Sequence, residues 1–197
     1  MLVIGTTFSF FTTVRMANVS PVVETSSATT NEILFEIINK IEIYPNGSNF
    51  KIGKESLSSS VNAKITLTHS ESDLSESEFY NVILNISTNE FEYSTIDKTP
   101  ELILAVTSPD GEITSIDGLT YKTVTDNKGT SISGFDITDF KGEIAIIKNK
   151  EITVKDKDVN IVAHNWVVKV TYVNLGVSQN INYDKELSGN IEIAKAV

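Results

Sequence analysis

Cysteine is absent from the 197 residues, which excludes a disulfide framework and any thiolate metal site. The absence does not fix a compartment; it is compatible with export. Histidine is almost as scarce. His69 and His164 are the only two, neither has a second histidine at ligand spacing, and no HExxH zinc motif exists. Each reads as an exposed or core-edge residue. A G-x-S-x-G nucleophile elbow is also missing: GTSISG at 129–134 is one residue too long and falls in a hairpin. No glycine-rich phosphate loop precedes a helix, no helix-sized window repeats every 3.6 residues, and no internal repeat is present. Catalysis by paired carboxylates depends on spacing in three dimensions that a sequence does not display. The expectation is a protein that is not an enzyme and uses no cofactor.

Positive charge is in short supply. Sixteen Lys and Arg stand against 26 Asp and Glu, a net charge of −10. Such a surface repels phosphate backbones and anionic lipid headgroups, so neither nucleic acid nor a charged membrane surface is an expected partner. The charge is uneven. Residues 71–101 hold eight acids (Glu71, Asp73, Glu76, Glu78, Glu90, Glu92, Asp97, Glu101) and one base, Lys98. Residues 141–169 hold six lysines (Lys141, Lys148, Lys150, Lys155, Lys157, Lys169) against four acids. Two readings are open: solvated strand faces, or complementary patches that meet between subunits.

What the chain does have is strand alternation. The stretch 161–193 reads as two strands facing each other across a polar loop. In the first, Trp166, Val168, Val170 and Tyr172 share a face, with Val167, Val173 and Leu175 on the other. A strand apolar on both faces suits the centre of a sheet covered by a second sheet. It carries the single Trp, which the neighbouring valines assign to the core rather than to a sugar platform. In the second strand Leu187, Gly189, Ile191 and Ile193 alternate with Ser188, Asn190 and Glu192.

Earlier segments repeat the pattern. Strands are expected over 33–38, 41–44, at Phe50 and Ile52, over 61–67 and 80–86, at Phe91 and Tyr93, and over 102–106, 119–124, 132–137, 143–147 and 152–154. Turns are expected at Pro45-Asn46-Gly47-Ser48, Ser108-Pro109-Asp110-Gly111 and Asp126-Asn127-Lys128-Gly129. Ten or more short strands at this spacing predict an all-β fold, an antiparallel β-sandwich or jelly roll with an extended N-terminal arm.

The chain divides at its N-terminal end. Residues 1–11, MLVIGTTFSFF, form either a signal-peptide-like apolar segment or a buried N-terminal strand. They are too few for a membrane span, which needs about 20 apolar residues. Residues 12–31, rich in Thr, Ser and Val, form an extended arm or linker. The β-sandwich domain occupies 32–197.

Candidate sites are few. Asp156, Asp158 and Asn160 place oxygen-bearing side chains at alternate positions, and Asp136 and Asp139 flank a turn. Calcium wants six to eight oxygens, and neither run has a glycine-pivoted loop or a closing bidentate acid. Polar loops are therefore the expected reading and no metal site is assigned. The loop 174–184, with Asn180, Asn182 and Tyr183, is the candidate sugar-contact loop. In the arm, Phe10, Phe11, Val14, Val19, Val22 and Val23 are apolar and β-favouring, and the tract 25–30 tethers them to the domain. An apolar arm and an open sheet edge satisfy one another by strand addition.

Residues 5–12, GTTFSFFT, resemble the G-x-T-x-A-F-F/N segment that closes the signal peptide of TasA/camelysin-type surface proteins. Residues 170–193, VTYVNLGVSQNINYDKELSGNIEI, resemble a terminal strand pair common in exported proteins of that group. Together they cover under a fifth of the chain. The family's Asp after the Phe/Asn pair is absent, since Thr12 and Thr13 follow here, and its A-x-G-x-L-x-L stretch is replaced by Glu32-Ile33-Leu34-Phe35. The resemblance implies a Gram-positive jelly roll, exported through a SipW-type signal peptidase, that builds biofilm fibres. The functional expectation is a secreted structural subunit of a cell-surface fibre or biofilm matrix. It would form a homo-oligomer or filament by N-terminal strand donation, with no membrane span in the mature chain. An adhesin-like or carbohydrate-binding module with a glycan or cell-surface ligand is the alternative.

Overall fold

The computed structural model describes residues 22–25, 32–68, 76–154 and 161–196. Among these residues twelve strands run in chain order: β1 (Val22–Thr25), β2 (Glu32–Ile38), β3 (Ile41–Ile43), β4 (Leu57–Thr68), β5 (Glu76–Asn89), β6 (Leu102–Ser108), β7 (Gly111–Glu112), β8 (Tyr121–Thr125), β9 (Ser131–Asp136), β10 (Gly142–Val154), β11 (Ile161–Tyr172) and β12 (Leu187–Lys195). One 3-10 turn, Asn180–Asn182, is the only helical element among the described residues.

Two antiparallel sheets stack as a sandwich, as the alternation requires. The larger has the order β1-β2-β4-β11-β6-β9-β8, with β7 pairing the end of β6. The smaller has the order β10-β5-β12-β3. The chain crosses between sheets at Asn39, whose φ of 74° makes the corner between β2 and β3. Asn tolerates that left-handed conformation better than most side chains.

The strand singled out in the sequence is central. β11 pairs β4 on one side and β6 on the other. Trp166, Val168, Val170 and Tyr172 are all buried and point between the sheets. Trp166 lies opposite Ala63 in the β4 register, and Val168 opposite Val61. A small residue across from the indole leaves room for it. Tyr80, Val82 and Leu84 of β5, with Ile144 of β10 and Ile191 of β12, close the core from the other sheet. The second apolar face of β11 is only partly covered. Val173 joins Ile103 and Val124 in a separate outer cluster, while Val167 is 39% exposed.

Several expectations need correction. β11 and β12 do not pair: they lie in opposite sheets, and β12 takes β5 and β3 as partners. The connection 173–186 therefore carries the chain from one sheet to the other. Phe50 and Ile52 belong to turns rather than a strand; Phe50 is buried against Tyr172, at 4.7 Å between ring centroids, and Ile52 is exposed. Phe91 and Tyr93 follow β5 as irregular chain. The two strands expected over 143–154 are one, β10, interrupted by two register shifts near Ile147 and Lys150, with Asn149 at φ 53°. Such bulges bend a strand and disrupt edge pairing. At Gly189, where β12 shifts register against β5, an added Cβ would lie 2.8 Å from the Asn85 carbonyl oxygen, so this close approach requires glycine.

The two unevenly charged regions are neighbours in the fold, but their described ion pairs lead elsewhere. Acidic β5 and lysine-bearing β10 are neighbouring strands of one sheet, with Tyr80 opposite Lys150 and Glu78 opposite Ile152. Glu78 itself holds Lys195 at 2.9 Å, Lys150 pairs with Asp110, and Glu101 is fully buried. The two regions thus meet within one chain.

Trp166→Ala empties the largest buried side chain and is expected to cost about 3–5 kcal/mol. Denaturant unfolding of the variant measures it, and an unchanged midpoint would contradict the packing described.

Candidate functional site

At one end of the sandwich the loops 90–101, 136–141 and 173–186 converge on a carboxylate. Glu101 is 0% exposed. Its Oε1 accepts hydrogen bonds from the Ser94 backbone N–H and hydroxyl, both at 2.6 Å. Its Oε2 accepts from Gln179 Nε2 at 2.6 Å, Asn182 Nδ2 at 2.9 Å and the Tyr172 hydroxyl at 3.3 Å. No lysine or arginine is among these donors, so dipoles alone solvate the group. A buried ionisable side chain is tolerated only with such a full set of partners. Burial and the neighbouring carboxylate together push the Tyr172 phenol far above its ordinary range.

The arrangement extends outward from the same residue. Thr138 Oγ1 accepts from the backbone N–H of Glu101 at 2.9 Å and of Leu102 at 3.1 Å, and donates to Asp136 Oδ1 at 2.8 Å. Asp136 Oδ2 accepts from the Tyr93 hydroxyl at 3.0 Å and from Lys122 Nζ at 3.1 Å. Burial and Asp136 raise the Tyr93 phenol well above its usual value. Side-chain amides do for the loops what ladder bonds do for strands. Asn182 bonds both the N–H and the C=O of Glu92. Asn89 donates to the carbonyls of Ile137 and Phe140, and Asn174 to those of Lys51 and Lys54. With every oxygen of Glu101 occupied and none exposed, this carboxylate fastens loops and does not face a substrate.

The expected site residues are distributed as follows. Asn182 is buried with its amide fully engaged, so it serves the interior rather than a ligand. Asn180 is exposed on the 3-10 turn. Tyr183 is half-buried and donates to the Phe50 carbonyl at 3.1 Å. Trp166 lies in the core and presents no sugar platform. Asp136 is committed to Tyr93, Lys122 and Thr138, while Asp139 is exposed. His164 sits at the core edge, 2.8 Å from the Tyr80 hydroxyl. Asp156, Asp158, Asn160 and His69 lie outside the described residues, as do Phe10, Phe11, Val14 and Val19. Val22 and Val23 are in β1. Among the described residues no group of three or more His, Asp and Glu side chains is placed to hold a metal.

Two surfaces among the described residues bear on function. One is an open groove of about 620 Å³ between the loop 95–100, β8 and the start of the 173–186 loop. Thr95, Asp97, Thr99 and Lys122 supply polar groups, and Val124, Leu175 and Val177 an apolar floor. No local pattern marks it, because its walls are distant in the chain. The other is the sheet edge at β2. There β1 pairs antiparallel, Val22 with Phe35 through Thr25 with Glu32; among the described residues Glu36, Ile37 and Ile38 lie beyond this pairing.

No protein-family model, curated protein or solved structure matches the chain.

Glu101→Ala orphans several buried donors, each worth about 1–3 kcal/mol, and is expected to cost at least about 3 kcal/mol in urea unfolding. Asn180→Ala, on the same loop but exposed, is expected to stay within about 0.5 kcal/mol. Equal effects from the two would contradict the reading.

Proposed function

We propose that the chain is a secreted structural subunit of a cell-surface fibre or biofilm matrix that assembles by N-terminal strand addition. One observation carries the reading: the last residues of the arm, Val22–Thr25, are already a strand laid on the edge of β2. A strand of four residues is short, and its connection to β2 spans only residues 26–31. The same register made with the β2 of a neighbour satisfies the same N–H and C=O groups. Such a contact is head-to-tail, and when it does not close into a ring it propagates as a filament.

The other edges argue in the same direction. β3 is three residues long, β8 is five, and β10 is broken by two register shifts. Short, bulged and charged edges resist pairing. β2 runs seven residues, and Ile38, beyond its described pairing with β1, is 46% exposed. The apolar residues Phe10, Phe11, Val14 and Val19 further along the arm, and the resemblance of residues 5–12 to the end of a TasA/camelysin-type signal peptide, support export and fibre formation.

The groove beside β8 favours a second reading, a carbohydrate-binding or adhesin-like module. Its hydroxyls, charged groups and apolar floor suit a polyhydroxylated ligand.

Deleting residues 10–25 is expected to leave a folded monomer that forms no filaments in negative-stain microscopy. Filaments of normal length from the truncated protein would overturn strand donation. Monodisperse full-length protein retained on a glycan array would favour the second reading.

A further inference from the structure

We propose that Tyr80, His164, Lys150 and Asp110 form an acid-sensitive latch between the two sheets, at the end of the sandwich away from Glu101. Tyr80 belongs to β5 in the smaller sheet, whereas His164 and Trp166 belong to β11 in the larger. Trp166 Nε1–H donates to the Tyr80 oxygen at 3.0 Å. The Tyr80 oxygen in turn lies 2.8 Å from His164 Nδ1. No other acceptor for the Tyr80 hydroxyl stands among the described residues, so its proton is assigned to His164. The chain of donors therefore runs Trp166 to Tyr80 to His164, and Nδ1 is the bare acceptor of a neutral imidazole.

A second tie crosses the same seam. Lys150 of β10 pairs with Asp110, in the turn between β6 and β7. This ammonium and carboxylate are the charged groups that act on His164. Other elements near the ring bring charges that are already committed. Lys64 on β4 faces outward beside Glu36 at 3.6 Å, and Glu78 of β5 holds Lys195 of β12 at 2.9 Å. Ile65 is the direct register partner of His164 on β4.

Protonating His164 turns its acceptor into a donor. Tyr80 then receives two N–H groups, and its own hydrogen loses the only acceptor in the chain of bonds. The new charge also repels Lys150 and competes with it for Asp110. Both ties across the seam weaken together. Burial first, and Lys150 second, hold the imidazole below its ordinary value of 6.5, against a smaller opposing pull from Asp110. For a group depressed in the folded state, the stabilisation is complete above 6.5 and is lost as pH falls through the folded value. The latch is thus closed at neutral pH and open in mild acid, while the partners that hold the other end include no histidine.

Amide hydrogen exchange, expressed as protection factors at pH 7.5 and 5.5, tests this on the intact chain. In the native sequence, protection should fall at pH 5.5 for residues 77–80 and 161–166 and hold at 94 and 173. His164→Gln keeps an acceptor for Tyr80 but takes no proton, and its protection should be the same at both pH values. Equal acid sensitivity in this variant, or loss of protection spread over both ends, would overturn the latch. If the variant does not fold, NMR titration of His164 in the native chain decides. A midpoint below 6.5 supports the latch, and one at or above it refutes the latch.

Discussion

The loops at one end of this sandwich depend on a single buried carboxylate without a counter-ion. Strands satisfy their own backbone groups, but loops that cross between two sheets have no ladder to join. Glu101 resolves this by collecting donors from three segments, through Ser94, Gln179, Asn182 and Tyr172. Partners that give hydrogen bonds without bringing charge avoid burying a second ion, whose desolvation is the larger cost. The apolar residues between the sheets then need only match in volume, as Trp166 does with Ala63.

The two ends of the molecule are therefore fastened differently. One is held by dipoles around Glu101 and by amides that bond loop carbonyls. The other is held by the line from Trp166 through Tyr80 to His164 and by the Lys150–Asp110 pair. Burial raises the Tyr80 phenol to about 12, so it remains a donor throughout the physiological range. A body tied at both ends suits a building block whose assembly is confined to its periphery. In the assembly reading, exchange is limited to the edge where β1 meets β2, and the core stays intact while the strand changes partners.

Much of this was legible in the sequence, for identifiable reasons. Inward residues of β4, of β5 over 80–86 and of β11 over 166–170 alternate because each sheet turns one face to the core, and Val168 and Val170 mark Trp166 as core. The β8–β9 hairpin was readable from Asp126 and Gly129: Asp126 Oδ1 accepts from the N–H groups of Lys128 and Thr130, and Gly129 takes a φ of 82°. What stayed hidden depends on distant partners. Glu101, Asn174, Gln179 and Asn182 look like surface residues, and only contacts from elsewhere in the chain make their burial affordable. The assignment of β11 and β12 to opposite sheets and the bulges that unite β10 leave no local signal. The charge asymmetry was visible, but the adjacency of β5 and β10 in one sheet was not.

A double-mutant cycle between Glu101 and Gln179 tests the central claim most directly. Groups in one hydrogen-bond network couple by about 0.5–3 kcal/mol, whereas independent sites add. Glu101→Ala, Gln179→Ala and the double variant, unfolded in urea, are expected to show coupling above about 1 kcal/mol, because either change alone strands the other group. Simple additivity would contradict the account of a loop end organised by this carboxylate.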